Sequence, residues 1–68
     1  MPNVRDVIRR LEREGWSVVR IRGDHRQFKH PDKPGRRVTI AGHPNSDLPA
    51  GTWNSVRRQA GWDEESKD

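Results

Sequence analysis

His25 sits in the run Arg20-Ile21-Arg22-Gly23-Asp24-His25-Arg26-Gln27-Phe28-Lys29, with the cations Arg20, Arg22, Arg26 and Lys29 close on either side. Imidazole titrates near neutral pH, so one such side chain can accept a proton and later return it. Cleavage of an RNA chain by its own 2′-hydroxyl asks for little more. A base takes the hydroxyl proton, an acid protonates the departing 5′-oxygen, and cations stabilise the five-coordinate phosphate. These steps need no metal ion and no cofactor, and none is expected. The neighbouring Arg and Lys favour the neutral, proton-accepting imidazole by like-charge repulsion. They can also grip phosphates on both sides of the scissile bond. The pattern alone is not specific, because an idle His beside a turn among Arg residues looks the same.

Other residues carry weaker chemical signals. His30 precedes Pro31 and reads as a polar residue at a strand end, and His43 precedes Pro44 and reads as a loop residue bonded to backbone. An odd spacing on a strand puts His25 and His30 on opposite faces, which argues against a zinc site built from the three histidines. Trp16, Trp53 and Trp62 could stack on bases, but each falls where core or helix-capping contacts are expected. Lys29, Arg36, Arg37, Arg57 and Arg58 are candidate phosphate contacts or, equally, a solvated charged face.

The chain around these residues is short and basic. Its 68 residues exclude a multi-domain enzyme, and with 28% hydrophobic and 35% charged residues any core is thin. Residues 1–62 hold 13 Lys/Arg against 6 Asp/Glu, whereas 63–68 hold one Lys and four acids. The expected organisation is a single domain over 1–62 followed by a frayed acidic tail over 63–68. Arg supplies 11 of the 14 basic residues, and its planar fork suits phosphate. The expected partner is therefore a polyanion, RNA or DNA, or else an acidic protein surface. There is no cysteine, which removes disulfides, thiol nucleophiles and cysteine-based zinc sites. No apolar run is long enough to span a membrane and no signal-peptide pattern opens the chain, so the expected location is the cytoplasm.

The elements that must position His25 follow from periodicity. Asn3 is a candidate N-cap, and Val4, Val7, Ile8 and Leu11 make one apolar stripe on a helix that Gly15 can end. Residues 17–22, 25–30 and 36–41 read as three strands of an antiparallel meander, joined by Gly23-Asp24 and by Pro31-Asp32-Lys33-Pro34-Gly35. After a polar loop over 42–48, Pro49 fits the first position of a second helix carrying Trp53, Val56 and Ala60, with Gly61 as its stop. Two helices on one face of the sheet is the economical way to bury both stripes. A two-residue turn at Gly23-Asp24 pairs Arg22 with His25 and Val19 with Phe28. Val19, Ile21, Arg26, Phe28, Val38 and Ile40 then share the core face, with Arg26 snorkelling at the rim. Val18, Arg20, Arg22, His25, Gln27 and Lys29 share the open face.

These stretches together resemble the HicA-type toxins of type II toxin–antitoxin systems. The resemblance rests on Leu-Glu-Arg-Glu-Gly-Trp (11–16), Gly-Asp-His-Arg-Gln-Phe-Lys-His-Pro (23–31), Arg-Arg-Val-Thr-Ile (36–40) and Leu-Pro-Ala-Gly-Thr-Trp-Asn-Ser-Val-Arg-Arg-Gln-Ala-Gly (48–61). It implies an α+β fold similar to the double-stranded RNA-binding domain, α-β-β-β-α. It further implies an endoribonuclease that cleaves mRNA and arrests translation, with His25 as the catalytic residue. The implied partner is a HicB-type antitoxin that covers the site. The free chain is expected to be a monomer, and a hetero-oligomer with the antitoxin. Asp24 stands where this family most often has Ser, which puts a carboxylate beside the reacting phosphate or next to His25 to orient it. Trp53 stands where Leu is usual. Arg20, Arg22, Arg26 and Lys29 are the substrate-positioning candidates, from the strand argument. The rival reading is an RNA-binding module without cleavage, which grips phosphates and 2′-hydroxyls. A third is a structural partner in a protein complex.

Overall fold

The computed structural model describes residues 2–62. It runs α1 (Val4–Arg13), β1 (Ser17–Arg22), β2 (His25–Lys29), β3 (Val38–Ala41) and α2 (Ala50–Ala60). This is the expected α-β-β-β-α order of a double-stranded RNA-binding-domain-like α+β fold. The strands form one antiparallel sheet in the order β1-β2-β3. The acidic tail expected at 63–68 lies outside the described residues.

Helix α1 begins where Asn3 accepts a hydrogen bond from the Arg5 backbone N–H at 2.8 Å, which satisfies one of the unpaired donors at the helix start. It ends at Glu14 and Gly15, the latter at φ 101°, a left-handed conformation that glycine adopts at little cost. Val4, Val7 and Leu11 are buried and Ile8 packs partly against them. Pro49 is the residue just before α2 rather than its first helical residue, and its carbonyl accepts the Trp53 N–H at 2.9 Å. Gly61, at φ 84°, ends α2.

The core joins α1, α2, β2 and β3. Trp16, Phe28, Val38, Ile40, Leu48, Val56, Ala60 and Trp62 are buried together with the α1 stripe. Burial of each large side chain contributes about 1.5–3 kcal/mol, so these residues carry most of the stability of so small a domain. Leu48 is buried although it lies at the end of a loop that reads as polar. That loop is tied across the start of α1, with Val4 N–H donating to Ser46 O and Leu48 N–H to Pro2 O, both at 2.9 Å.

Strand β1 departs from the expected register. Arg22 pairs with His25 as the turn predicts, but Phe28 pairs with Val18 instead of Val19, because a bulge between Val18 and Arg20 adds a residue to β1. Val19 and Ile21 were expected in the core and are instead 54% and 62% exposed, while Val18 is 43% exposed. The buried set explains this: the sheet residues in the core with α1 and α2 are Phe28, Val38 and Ile40, on β2 and β3, and no residue of β1 is among them. With no core contact to enforce alternation, the Val-Val run admits the extra residue.

The other two strands are shorter than expected. Strand β2 stops at Lys29, since the His30 side chain turns to bond the Glu14 carbonyl at 2.7 Å. Strand β3 starts at Val38 because Arg36 belongs to the preceding turn, its N–H donating to Lys33 O at 3.1 Å.

Candidate functional site

The open face of the sheet carries the candidate site. Arg20 pairs with Gln27 and Arg22 with His25 across β1 and β2, while Gln27 pairs with Thr39 across β2 and β3. Side chains of paired residues project to the same side. Arg20, Arg22, His25, Gln27 and Thr39 accordingly line one shallow cleft of about 290 Å³. Period-2 alternation places His25, Gln27 and Lys29 in a row on this face.

The imidazole of His25 is 60% exposed, and its Nδ1 lies 3.1 Å from Asp24 Oδ1. Of the two roles open to Asp24, the geometry places its carboxylate against the ring. Donation of the Nδ1 proton to Asp24 leaves Nε2 as the nitrogen available for proton exchange. The turn itself is fixed by Gly23 at φ 59° and by the Gly42 N–H donating to the Asp24 carbonyl at 3.1 Å. Asp24 and His25 are thus held at the cleft rim by β1, β2 and the residue following β3.

The remaining sequence candidates divide by face. Lys29 shares the His25 face but lies at the far end of β2, lining a second cleft with Lys33, Arg36 and Arg37. Arg26 lies on the opposite face, paired with Ile21 and Ile40. It is half-buried, and its Nη1 donates to the Gly42 carbonyl at 3.4 Å, which ties the loop after β3 to the sheet. Arg57 sits 5.7 Å from the Trp53 ring on α2, away from the cleft-lining set.

Two polar residues of the cleft, Gln27 and Thr39, were not singled out from the sequence as site residues. Their places follow from the alternation that places His25, so the signal was present, but neither side chain has a titratable group to attract notice. Among the described residues no group of His, Cys, Asp and Glu is arranged to hold a metal ion. His43 accepts the Asn45 N–H at 3.2 Å, the backbone contact expected of a loop histidine.

His30 does more than end a strand. Its Nε2 meets the Glu14 carbonyl and its Nδ1 accepts the Asp32 N–H at 3.0 Å, so both ring nitrogens are engaged and the neutral Nε2–H tautomer satisfies both. Its ring stands edge-on to Trp16 with centroids 5.3 Å apart. This histidine is structural; His25 and His43 are both exposed, and His25 is the one in the cleft lined by Arg20 and Arg22.

A search of the curated proteins found no match. The family model described as "HicA toxin of bacterial toxin-antitoxin" matches residues 4–62, a span that takes in both helices, all three strands and the His25 cleft. The chain therefore belongs to the HicA toxin family, as a toxin whose natural counterpart is an antitoxin.

Proposed function

We propose that this toxin is a metal-independent endoribonuclease acting on mRNA, with His25 as its catalytic residue, and that a HicB-type antitoxin restrains it by covering the open face. The observation that carries the reading is the exposed His25 ring, held through Nδ1 by Asp24 in a cleft lined by Arg20 and Arg22. In this mechanism Nε2 of His25 removes the ribose 2′-hydroxyl proton. The 2′-oxygen attacks the adjacent phosphorus, and the bond from phosphorus to the 5′-oxygen breaks. The protonated ring returns its proton to that 5′-oxygen. The products are a 2′,3′-cyclic phosphate and a free 5′-hydroxyl, so atoms and protons balance without an added reactant. Arg20 and Arg22 stabilise the charge on the five-coordinate phosphate, and Gln27 and Thr39 offer hydrogen bonds to the sugar and phosphate oxygens. Lys29 binds a phosphate farther along the strand. Arg26, on the opposite face, positions the loop after β3.

The test uses purified protein, a labelled transcript and a chelator. The native chain is expected to release fragments ending in cyclic phosphate. His25→Ala is expected to lower the cleavage rate by about 10²–10⁴-fold while keeping RNA affinity. In cells, induction of the native chain stops growth and His25→Ala restores it. Transcripts bound but left intact by the native chain would replace this reading with the non-cleaving RNA-binding module.

A further inference from the structure

We propose that the loop between β2 and β3 forms a second phosphate subsite for the RNA strand that occupies the His25 cleft. The inference rests on the RNA reading and extends it by fixing where the strand runs. A separate cleft of about 500 Å³ opens at the far end of β2, where Lys29, Lys33, Arg36 and Arg37 bring four cations together and no lining residue is acidic. Neither Arg36 nor Arg37 forms an ion pair with a described carboxylate. Cations grouped in one cleft repel one another, and binding a polyanion relieves that repulsion while releasing the polyanion's counterions.

The loop holds these cations in place. Lys33 N–H donates to His30 O and Arg36 N–H to Lys33 O, both at 3.1 Å. Asp32 N–H donates to the His30 ring, which is itself anchored on the Glu14 carbonyl. Pro31 and Pro34 restrict the backbone, and Gly35 takes the left-handed turn at φ 85°. A loop already ordered loses little entropy when it binds a ligand.

The two clefts lie on one track. His25, Gln27 and Lys29 alternate along the same face of β2, and Arg37 reaches in from the loop to donate to Gln27 Oε1 at 3.3 Å. From His25 to Lys29 is four strand steps, about 13 Å. A stacked strand advances about 3.4 Å per nucleotide, so the subsite lies about four nucleotides from the bond to be cut. The sheet thus binds one strand lengthwise along β2, with chemistry at the turn end and an electrostatic anchor at the loop end.

Binding of non-cleavable 2′-O-methyl RNA, as a 12-mer and as a 3-mer, tests this by fluorescence anisotropy across a salt series. The variant Lys33→Gln/Arg36→Gln changes two exposed side chains remote from His25. It is expected to bind the 12-mer on the order of 25-fold more weakly at 0.1 M salt, and to lower the salt slope by about 1.4, from about 0.7 per lost contact. Its affinity for the 3-mer is expected to stay native, and on a long cleavable RNA its KM rises while kcat holds. Arg9→Gln/Arg13→Gln, the same charge loss on exposed positions of α1, is the control for net charge. Equal weakening by the two double variants, or native 12-mer affinity in Lys33→Gln/Arg36→Gln, overturns the subsite and leaves the RNA reading standing. A native chain that binds neither oligomer overturns both.

Discussion

The contact between Asp24 and His25 is exposed on both sides, with the two side chains 67% and 60% accessible. Such pairs add little to stability, and the role proposed for this one is orientation of the ring. Asp24→Ala is expected to lower kcat for RNA cleavage about tenfold, a fraction of the full acid–base contribution, with KM unchanged. Asp24→Asn keeps an acceptor for Nδ1–H and is expected to stay within a fewfold of native. Steady-state kinetics on the three proteins check this, and equal rates would remove Asp24 from the mechanism. At this scale the sequence was informative about position. The two-residue turn fixes the face of His25, and alternation then carries Arg20, Arg22 and Lys29 to the same side. The Asp24 contact was not determined, because a turn residue can aim its side chain in several directions.

The turn that ends α1 comes close to the start of the loop after β2 at Gly15. A Cβ on Gly15 would stand 2.8 Å from His30 Nε2, and Gly15 has φ 101°. Gly35 also has positive φ, but nothing lies within 4 Å of its would-be Cβ. Gly35→Ala is therefore expected to cost only the backbone term, about 1 kcal/mol, and Gly15→Ala the same term plus displacement of the His30 ring, for a total of about 2–3 kcal/mol. Chemical denaturation of both variants checks the order, and equal destabilisation would show that the His30 contact adds nothing. Element boundaries were the least legible part of the fold for this kind of reason. The end of β2 depends on His30 finding a carbonyl of a different element, and the bulge in β1 depends on that strand lying outside the core. Neither fact is local to the residues concerned. The helix caps at Asn3, Gly15 and Gly61, by contrast, are local, and were readable.

Glu14 links distant parts of the molecule. Its carboxylate accepts from Trp62 Nε1 at 2.8 Å and from Arg10 Nε at 3.0 Å, and Arg10 lies over the Trp62 ring at 3.9 Å. Its carbonyl holds His30. Partial burial works to raise the Glu14 pKa, but hydrogen bonds from Trp62 and Arg10 and the charges of Arg10 and Lys33 outweigh it and hold the value below the ordinary 4.5. The folded state therefore releases this proton more readily than the unfolded chain does. The resulting stability is complete above the ordinary value and is lost as pH falls through the lowered one. With the carboxylate partly in solvent, it amounts to under about 1 kcal/mol. Glu14→Gln is expected to melt a few degrees lower than native near neutral pH, with the gap closing in acid. A gap independent of pH would assign the effect to packing.

The borders of the sheet differ in kind. Beside β3, the Thr39 N–H is already taken by Gln59 Oε1 of α2 at 3.0 Å. Among the described residues strand β1 has no such neighbour on its outer edge, and it shows Val18, Val19 and Ile21 to water. A polypeptide that lengthened this sheet would therefore join next to Arg20 and Arg22. From there it would form a wall along the His25 cleft, so that shielding of apolar side chains and obstruction of the cleft would come together in one act of binding.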